Sequence, residues 1–259
     1  MLSAIGDLGN GVLQWRTSYK LGVQDIDLRY RRSVLGPFWI SASLVATVLA
    51  LAFVFGEVFR QDFVDYVIFL GAGLLAWQLI LALVNEGCGS IAEHSAFLQN
   101  LRMPLSVIAG RIVFRNAIVF VHNLIAIVGV FFLFGAHLTW TALWVFPAAL
   151  MILAIGYFLI LVLGPICARF RDIPLVVQSA MQVIFFMTPI FWQPSAMAHR
   201  PMLTLANPIY HWIELVRAPL LGHEATWLNW QVAFWSCGVA CLLAIITLSV
   251  TRKRLSLWL

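Results

Sequence analysis

The sequence has 259 residues, of which only 10% are Asp, Glu, Lys or Arg and 62% are hydrophobic, and its mean hydropathy is +0.94. Because a soluble domain is about a quarter charged, this composition excludes an ordinary water-soluble protein. Only helices and closed barrels satisfy their backbone groups in lipid, and the unbroken apolar runs favour helices. An uneven distribution of Lys and Arg across a membrane explains the net charge of +5 without a nucleic acid partner.

The segment before the first long apolar run is predicted to form an amphipathic helix in the cytoplasmic interface of the membrane. Apolar residues recur there at helical spacing, and polar residues occupy another face. Gly36 and Pro37 would end this helix where the chain turns into the bilayer. The residues up to Trp15 lack a basic region and a sustained apolar core, so we expect no cleaved signal peptide. The apolar positions are Tyr19, Val23, Ile26, Tyr30 and Val34.

Six apolar segments are each long enough to cross a bilayer, which takes about 20 residues. We therefore predict an all-α integral membrane protein with a single transmembrane domain. Residues 1–35 would form its cytoplasmic and interfacial part, residues 36–250 its six spans and residues 251–259 its cytoplasmic tail. Residues 193–226 are too apolar for a free loop and predict short re-entrant helices between spans 5 and 6. The six spans are Gly36–Phe59, Val64–Val84, Leu105–Phe134, Leu143–Cys167, Leu175–Trp192 and Trp227–Val250.

The positions of Lys and Arg predict the orientation of these spans. When successive loops are assigned alternately to the two sides of the membrane, thirteen of the sixteen Lys and Arg residues lie on the side of the N-terminus. The positive-inside rule places that side, and with it both termini, in the cytoplasm. The other three basic residues are Arg60, Arg200 and Arg217.

The sequence lacks the motifs of ATP-binding proteins and of the common zinc enzymes. A P-loop needs Gly-Lys followed by Ser or Thr, whereas Lys20 follows Tyr and Lys253 follows Arg. The pair His223-Glu224 is not followed by a zinc protease's second His, and the six histidines lack metal-ligand spacing. The four cysteines form no CxxC pair and are expected to be buried thiols. We therefore predict no catalytic residue, metal site or cofactor in this chain.

Five motifs occur in order along these predicted spans. In order and spacing they resemble the ABC-2 type permeases of bacterial polysaccharide export systems, which export O-antigen, capsule or teichoic acid. The resemblance extends from about Tyr19 to Val250. One motif departs from the family: the segment before span 3 is often more basic in the family, whereas here Arg102 is its single basic residue. The motifs are IDLRYRRSVLGPFW at 26–39, LQNLRMP at 98–104, ARFRDIP at 168–174, TPIFW at 188–192 and NPIYHWIELVR at 207–217.

The resemblance implies a transport subunit of the bacterial cytoplasmic (inner) membrane that has no ATPase site of its own. Two copies would pair as a homodimer, and each would bind a separate cytoplasmic ATPase subunit that holds ATP and Mg. The substrate would be a lipid-linked polysaccharide, above all O-antigen. Two alternatives remain open: an ABC-2 permease for a smaller lipid or drug, and a membrane-embedded enzyme that modifies lipids or glycans.

The resemblance also implies contacts with the ATPase at three cytoplasmic segments. The helix before span 1 would receive the ATPase stroke, although it could simply anchor the protein at lipid headgroups. Residues 86–99 would form a coupling helix rather than a plain connecting loop, and the segment after span 4 would either contact the ATPase or only end the span. The assigned coupling residues are Arg29, Arg31, Arg32, Glu93, His94, Leu98, Arg169, Arg171 and Asp172.

Three further groups of residues are candidates for the transport path. Arg111 and Arg115 share a helical face and, with Arg102, would grip the diphosphate of a lipid carrier at the cytoplasmic entrance, or else extend to the headgroups. Core packing accounts for the mid-span aromatic rings, although they could instead line a pore. An ionisable pair in the outer loop could belong to an outer gate, or could be a weak surface pair. The aromatic candidates are Trp77, Phe185 and Phe186, and the gate candidates are Tyr210, Glu214 and Arg217.

Overall fold

The computed structural model describes residues 2–31, 36, 38–95, 103–197, 199 and 201–251. Over these residues the chain forms helices joined by turns, which confirms the all-helical prediction for the described part of the chain. The helices are α1 (Leu2–Leu13), α2 (Trp15–Tyr30), α3 (Phe38–Phe59), α4 (Phe63–Gly89), α5 (Leu105–Leu133), α6 (Val145–Arg169), α7 (Ile173–Met187), α8 (Pro201–Leu205), α9 (Pro208–Leu220) and α10 (Trp227–Thr251), with 3₁₀ turns at Trp140–Trp144 and Pro194–Met197.

Five of these helices are long and apolar enough to cross a membrane: α3, α4, α5, α6 together with the 3₁₀ turn before it, and α10. The chain is therefore a multi-pass membrane protein. Helix α4 lies at the centre of the bundle and is the most buried of the spanning helices, since it packs against α3, α5, α6, α7 and α9. Its largely hydrophobic surface is typical of a helix that is surrounded by other elements.

The predicted fifth span is not a continuous helix. Helix α7 has 15 residues, which corresponds to about 22 Å, whereas a bilayer core is about 30 Å thick. It ends at Met187 because Pro189 cannot donate a helical hydrogen bond and forces Thr188 into an extended conformation. The sequence-based boundary at Trp192 was therefore wrong by five residues.

The chain nevertheless continues from α7 to the other end of the bundle. The Tyr66 hydroxyl, near the start of α4, donates to the Phe191 carbonyl. Gln193 Nε2 then donates to Gln61 Oε1, 2.9 Å away, in the turn between α3 and α4. Since α7 begins just after α6 ends at Arg169, residues 173–193 pass from one end of the bundle to the other as a helix followed by a non-helical segment.

Helix α2 packs on the first half of α5 through small residues. A Cβ added at Gly22 would lie 2.9 Å from the Arg111 carbonyl oxygen, and one added at Gly110 would lie 2.7 Å from Ser18 Oγ. Ser18 Oγ donates to the Val107 carbonyl at 3.1 Å. The docked face of α2 therefore carries Ser18, Gly22 and Ile26, which are all buried, whereas Tyr19 of the predicted apolar face is 46% exposed.

The segment between α7 and α10 contains the short helices that the sequence predicts. Helix α9 packs against α4, α6 and α10. Its N-cap, Asn207, accepts a hydrogen bond from the Ile209 amide at 3.0 Å and donates one to Thr188 Oγ1 at 2.8 Å. His211 Nδ1 lies 2.7 Å from Asn229 Oδ1 on α10. These polar contacts hold α9 inside the bundle.

Candidate coupling and transport sites

Two buried arginines of α5 lie at the centre of an ion cluster near the cytoplasmic end predicted for the bundle. Arg111 and Arg115 are one helical turn apart, so they project on the same face of α5. That face meets Asp25 of α2 and Glu86 of α4, and the four side chains are between 9% and 22% exposed. We name the four residues the Asp25 cluster. It joins three helices that are far apart in the sequence.

The geometry of the Asp25 cluster is specific. Arg111 makes a two-pronged contact with Asp25, in which Nε donates to Oδ2 at 2.7 Å and Nη2 pairs with Oδ1. Arg115 bridges both carboxylates, with Nη1 at 3.0 Å from Asp25 Oδ2 and Nη2 at 2.7 Å from Glu86 Oε2. Asn116 Nδ2 also donates to Glu86 Oε2, at 2.5 Å. Two guanidinium groups thus face two carboxylates, and the charges of the cluster balance.

The charges around Asp25 favour the ionised form of its carboxyl group. Burial by itself raises the pKa of the Asp25 carboxyl, but the hydrogen bond and charge of Arg111, with the charge of Arg115, lower it below the ordinary value. His94, in the turn that follows α4, has a lowered pKa because it is buried and because the Arg111 charge is near. Its Nδ1 lies 2.9 Å from the Ser90 carbonyl oxygen. Asp25 is therefore charged at neutral pH, near a histidine whose environment favours its neutral form.

Arg111 and Arg115 were predicted from the sequence as site residues, whereas their two carboxylate partners were not. Neither arginine extends outward in the way that the headgroup alternative requires, because both are buried and paired inside the bundle. Arg102, the third residue of the predicted carrier entrance, lies outside the described residues. A usable signal for the missed partners was present, because Glu86 lies at the end of a predicted span in a chain with few charges, where an ionisable group requires a partner.

A small polar cavity borders the Asp25 cluster. It measures about 130 Å³ and lies between α3, α4 and α5. Glu86 and Arg115 line it on one side, and Asn123 lines it on another. Asn123 is held in place by Ser41, whose hydroxyl donates to Asn123 Oδ1 at 2.9 Å. A site of this size with several polar partners can hold a few water molecules.

The residues predicted to contact the ATPase are dispersed over several elements. Glu93 is exposed and His94 is buried in the turn after α4, whereas residues 86–89 belong to α4 itself and not to a separate coupling helix. Arg29 lies in α2 and Arg31 follows it with an exposed side chain, whereas Arg32 and Leu98 lie outside the described residues. The remaining three are exposed at the α6–α7 connection: Arg169, Arg171 and Asp172.

The predicted pairing of Glu214 with Arg217 is present, and it is buried. Arg217 is 1% exposed, and its Nε and Nη2 both contact Glu214 Oε1, the former at 3.1 Å. Its Nη1 donates to the Pro189 carbonyl at 2.5 Å, and its guanidinium carbon lies 4.5 Å from the centre of the Phe69 ring. We name these four residues the Arg217 cluster. It ties α9 to α4 and to the bend after α7, so the alternative of a weak surface pair was wrong.

The three aromatic candidates and Tyr210 have different environments. Trp77 is 5% exposed and its ring centre lies 5.3 Å from that of the half-buried Phe185, an arrangement typical of core packing. Phe186 is 59% exposed. Tyr210, on the helix of the Arg217 cluster, is half-buried with its ring edge-to-face to His211, 5.2 Å between centres.

Most of the exposed polar side chains on the apolar helices lie on α3, α4 and α7, and α4 packs against both of the others. Gln231, near the start of α10, is also exposed. By contrast, the large side chains exposed on α10 beyond residue 233 are apolar, among them Phe234, Trp235, Leu242 and Ile246. This asymmetry was not predicted from the sequence, because it depends on where each side chain points in the folded bundle. The exposed uncharged polar residues on α3, α4 and α7 are Ser43, Thr47, Gln78, Asn85, Gln178, Ser179 and Gln182.

Comparison with known proteins assigns the family. The ABC-2 type transporter family model matches residues 20–221. The chain is 25% identical over 235 residues to an O-antigen export system permease protein RfbA of Myxococcus xanthus, covering 89% of this chain and 90% of that protein. It is 24% identical over 240 residues to a protein of the same name from Klebsiella pneumoniae, covering 89% and 88% of the two chains. The family match spans more than half of the chain, and the chain belongs to the ABC-2 type transporter family.

Proposed function

We propose that this chain is the permease subunit of an ABC exporter that moves a lipid-linked polysaccharide of the O-antigen type across the cytoplasmic (inner) membrane. The observation that carries this proposal is the similarity to relatives named O-antigen export permeases, which extends over about nine-tenths of both chains in two cases. The chain acts as one transmembrane domain, and hydrolysis of ATP, with its Mg, belongs to a separate cytoplasmic subunit.

The proposed topology has six crossings and both termini in the cytoplasm. Five crossings are the long apolar helices, and the sixth is α7 together with the non-helical residues that follow it. The hydrogen bond from Gln193 to Gln61, in the turn at the far end of α3 and α4, supports this sixth crossing. Helices α8 and α9 then form the re-entrant segment. The excess of Lys and Arg on the side of the N-terminus supports the orientation.

The proposed path for the glycan lies between two copies of the chain. A homodimer that brings the surfaces of α3, α4 and α7 together gives a hydroxyl-rich substrate hydrogen-bonding partners such as Gln78 and Gln178, while the apolar surface of α10 faces lipid. Phe186, which is exposed on α7, can contact sugar rings along this path. Trp77 and Phe185 lie behind Phe186 in the protein and support its position.

The proposed ATPase docks on the cytoplasmic turns of the permease. Exposed charges there support this position, at Arg31, Glu93, Arg171 and Asp172. The carrier entrance at Arg102, Arg111 and Arg115 requires a rearrangement, because Asp25 and Glu86 already balance the charge of the two buried arginines.

Co-purification followed by reconstitution tests this function. We expect the tagged permease to retain an ATPase subunit in equal amounts and, in vesicles, to translocate extracted lipid-linked O-antigen only when ATP is present. A strain without the permease should accumulate lipid-linked glycan on the cytoplasmic side and none on its surface. Retention of an ATPase without glycan transport would indicate a smaller lipid or drug as the substrate. Absence of any ATPase would favour a membrane-embedded enzyme.

A further inference from the structure

The Asp25 cluster connects the elements that face the cytoplasm. Asp25 lies on α2, Arg111 and Arg115 on α5, and Glu86 on the last turn of α4. His94 adds a fourth element, because it is buried in the turn after α4, near enough for its pKa to respond to Arg111 and Asp25. A displacement of that turn or of α2 therefore acts on the same set of charges.

Helix α2 is docked closely on the start of α5. The backbone contact at Gly22 leaves no space for a side chain, and Ser18 is hydrogen-bonded to the Val107 carbonyl. Asp25 follows one turn after Gly22, so the close contact between α2 and α5 also positions its carboxylate. Arg115 therefore links the α2–α5 contact to the end of α4 through its two carboxylate partners.

Arg115 has the means to exchange partners. It is shared between Asp25 and Glu86, so it can release one carboxylate while it remains paired with the other. The cavity of about 130 Å³ beside it gives the side chain space to move. Coupling between sites requires an element with two discrete arrangements, and a shared guanidinium beside a cavity has the partners and the space that a second arrangement needs.

We propose that the Asp25 cluster is the joint that couples ATP-driven movement of the cytoplasmic turns and α2 to the transmembrane bundle, with Asp25 and Glu86 as positioning residues that act through Arg111 and Arg115. Helix α4 carries the movement onward, since it extends from Glu86 to Phe69 of the Arg217 cluster, 17 residues or about 25 Å away. This inference rests on the proposed function.

The test compares Asp25→Asn with Asp27→Asn in the reconstituted complex of permease and ATPase. Asp27 lies on the same helix with an exposed side chain, so both variants lose one carboxylate but only one of them breaks the cluster. For Asp25→Asn we expect at least a tenfold fall in glycan exported per ATP hydrolysed, with ATP hydrolysis changed less than twofold. Asp27→Asn should retain the wild-type ratio, and Asp25→Glu should restore at least half of it.

Three results overturn the inference while the proposed function stands: an unchanged ratio in Asp25→Asn, an equal fall in Asp27→Asn, or a parallel loss of transport and hydrolysis that leaves the ratio constant. If Asp25→Asn does not insert into the membrane, the same criteria apply to Glu86→Gln, which keeps the contact between α2 and α5. If the wild-type complex itself shows no ATP-dependent export, the proposed function fails instead.

Discussion

The Asp25 cluster and the Arg217 cluster both bury arginine against carboxylate, but they connect the chain in different ways. Arg217 pairs with Glu214 three residues earlier on its own helix, and it completes its contacts with a carbonyl and an aromatic ring. Arg111 and Arg115 pair only with carboxylates of other helices among their ion pairs in the described part of the chain. The Arg217 cluster stabilises a local bend. The Asp25 cluster joins separate helices and borders a cavity.

This difference predicts that the Arg217 cluster contributes mainly to stability and the Asp25 cluster mainly to coupling. Both lie against α4, which is the most buried of the spanning helices. A change in one cluster can therefore affect the other through α4, and variants of each cluster separate the two roles.

The largest effect is expected for Arg217→Gln. The change leaves Glu214 and the Pro189 carbonyl without their buried partner, and removing one partner of a buried pair costs about 3–5 kcal/mol. Unfolding in mild detergent should show this loss, and both export and ATP hydrolysis should fall with the amount of folded protein. Arg60→Gln, at an exposed position in the α3–α4 turn, is the matched control. Wild-type stability of Arg217→Gln would contradict the role of this cluster.

A smaller effect is expected where α2 meets α5. Gly22→Ala places a Cβ 2.9 Å from the Arg111 carbonyl oxygen, so the helices must separate, and overpacking of this kind costs about 1–3 kcal/mol. Hydrogen exchange of the α2 amides should rise, and export per ATP should fall. Gly9→Ala is the control, because nothing lies within 4 Å of its added Cβ. If α2 exchange is the same in both variants, the close docking is not important for its position.

The pair Glu86 and Arg115 should show an interaction energy in a double-mutant cycle. Groups in one ion network usually couple by about 0.5–3 kcal/mol, so Glu86→Gln and Arg115→Gln together should cost less than the sum of their separate effects. The cycle is measured by unfolding of the four proteins in the same detergent. Additive effects would show that the bridge contributes no coupling energy to the folded state.

The smallest effect is expected for Ser41→Ala. Its hydroxyl donates to Asn123 beside the cavity, and interhelical hydrogen bonds of this kind in membrane proteins average about 0.6 kcal/mol. Thermal unfolding should shift slightly, whereas export per ATP should remain at the wild-type value. Ser249→Ala is the control, since the Ser249 hydroxyl bonds only within its own helix, to the Ile246 carbonyl among the described contacts. A large loss of coupling in Ser41→Ala would extend the joint to α3.

The family and the helical membrane fold could be predicted from the sequence because long apolar runs and widely spaced motifs are local properties of the chain. The Glu214–Arg217 pair could also be predicted, since residues three apart share a helical face. The end of α7 at Met187 was not predicted because the run of apolar residues continues past Pro189, whereas the helix does not. The docked face of α2 was not predicted because close helix packing favours small residues such as Ser18 and Gly22. A search for apolar residues at helical spacing does not detect such positions.

The sequence by itself determined that the chain lies in a membrane, how its charges are distributed along it and to which family it belongs. These properties depend on the transfer of side chains into lipid and on motif order, neither of which requires knowledge of long-range contacts. Only the tertiary structure decided which charges are partners. Asp25, Glu86, Arg111 and Arg115 are separated by up to 90 residues, and they meet because buried ions in a low-dielectric bundle must be paired with opposite charges, whichever helices carry them.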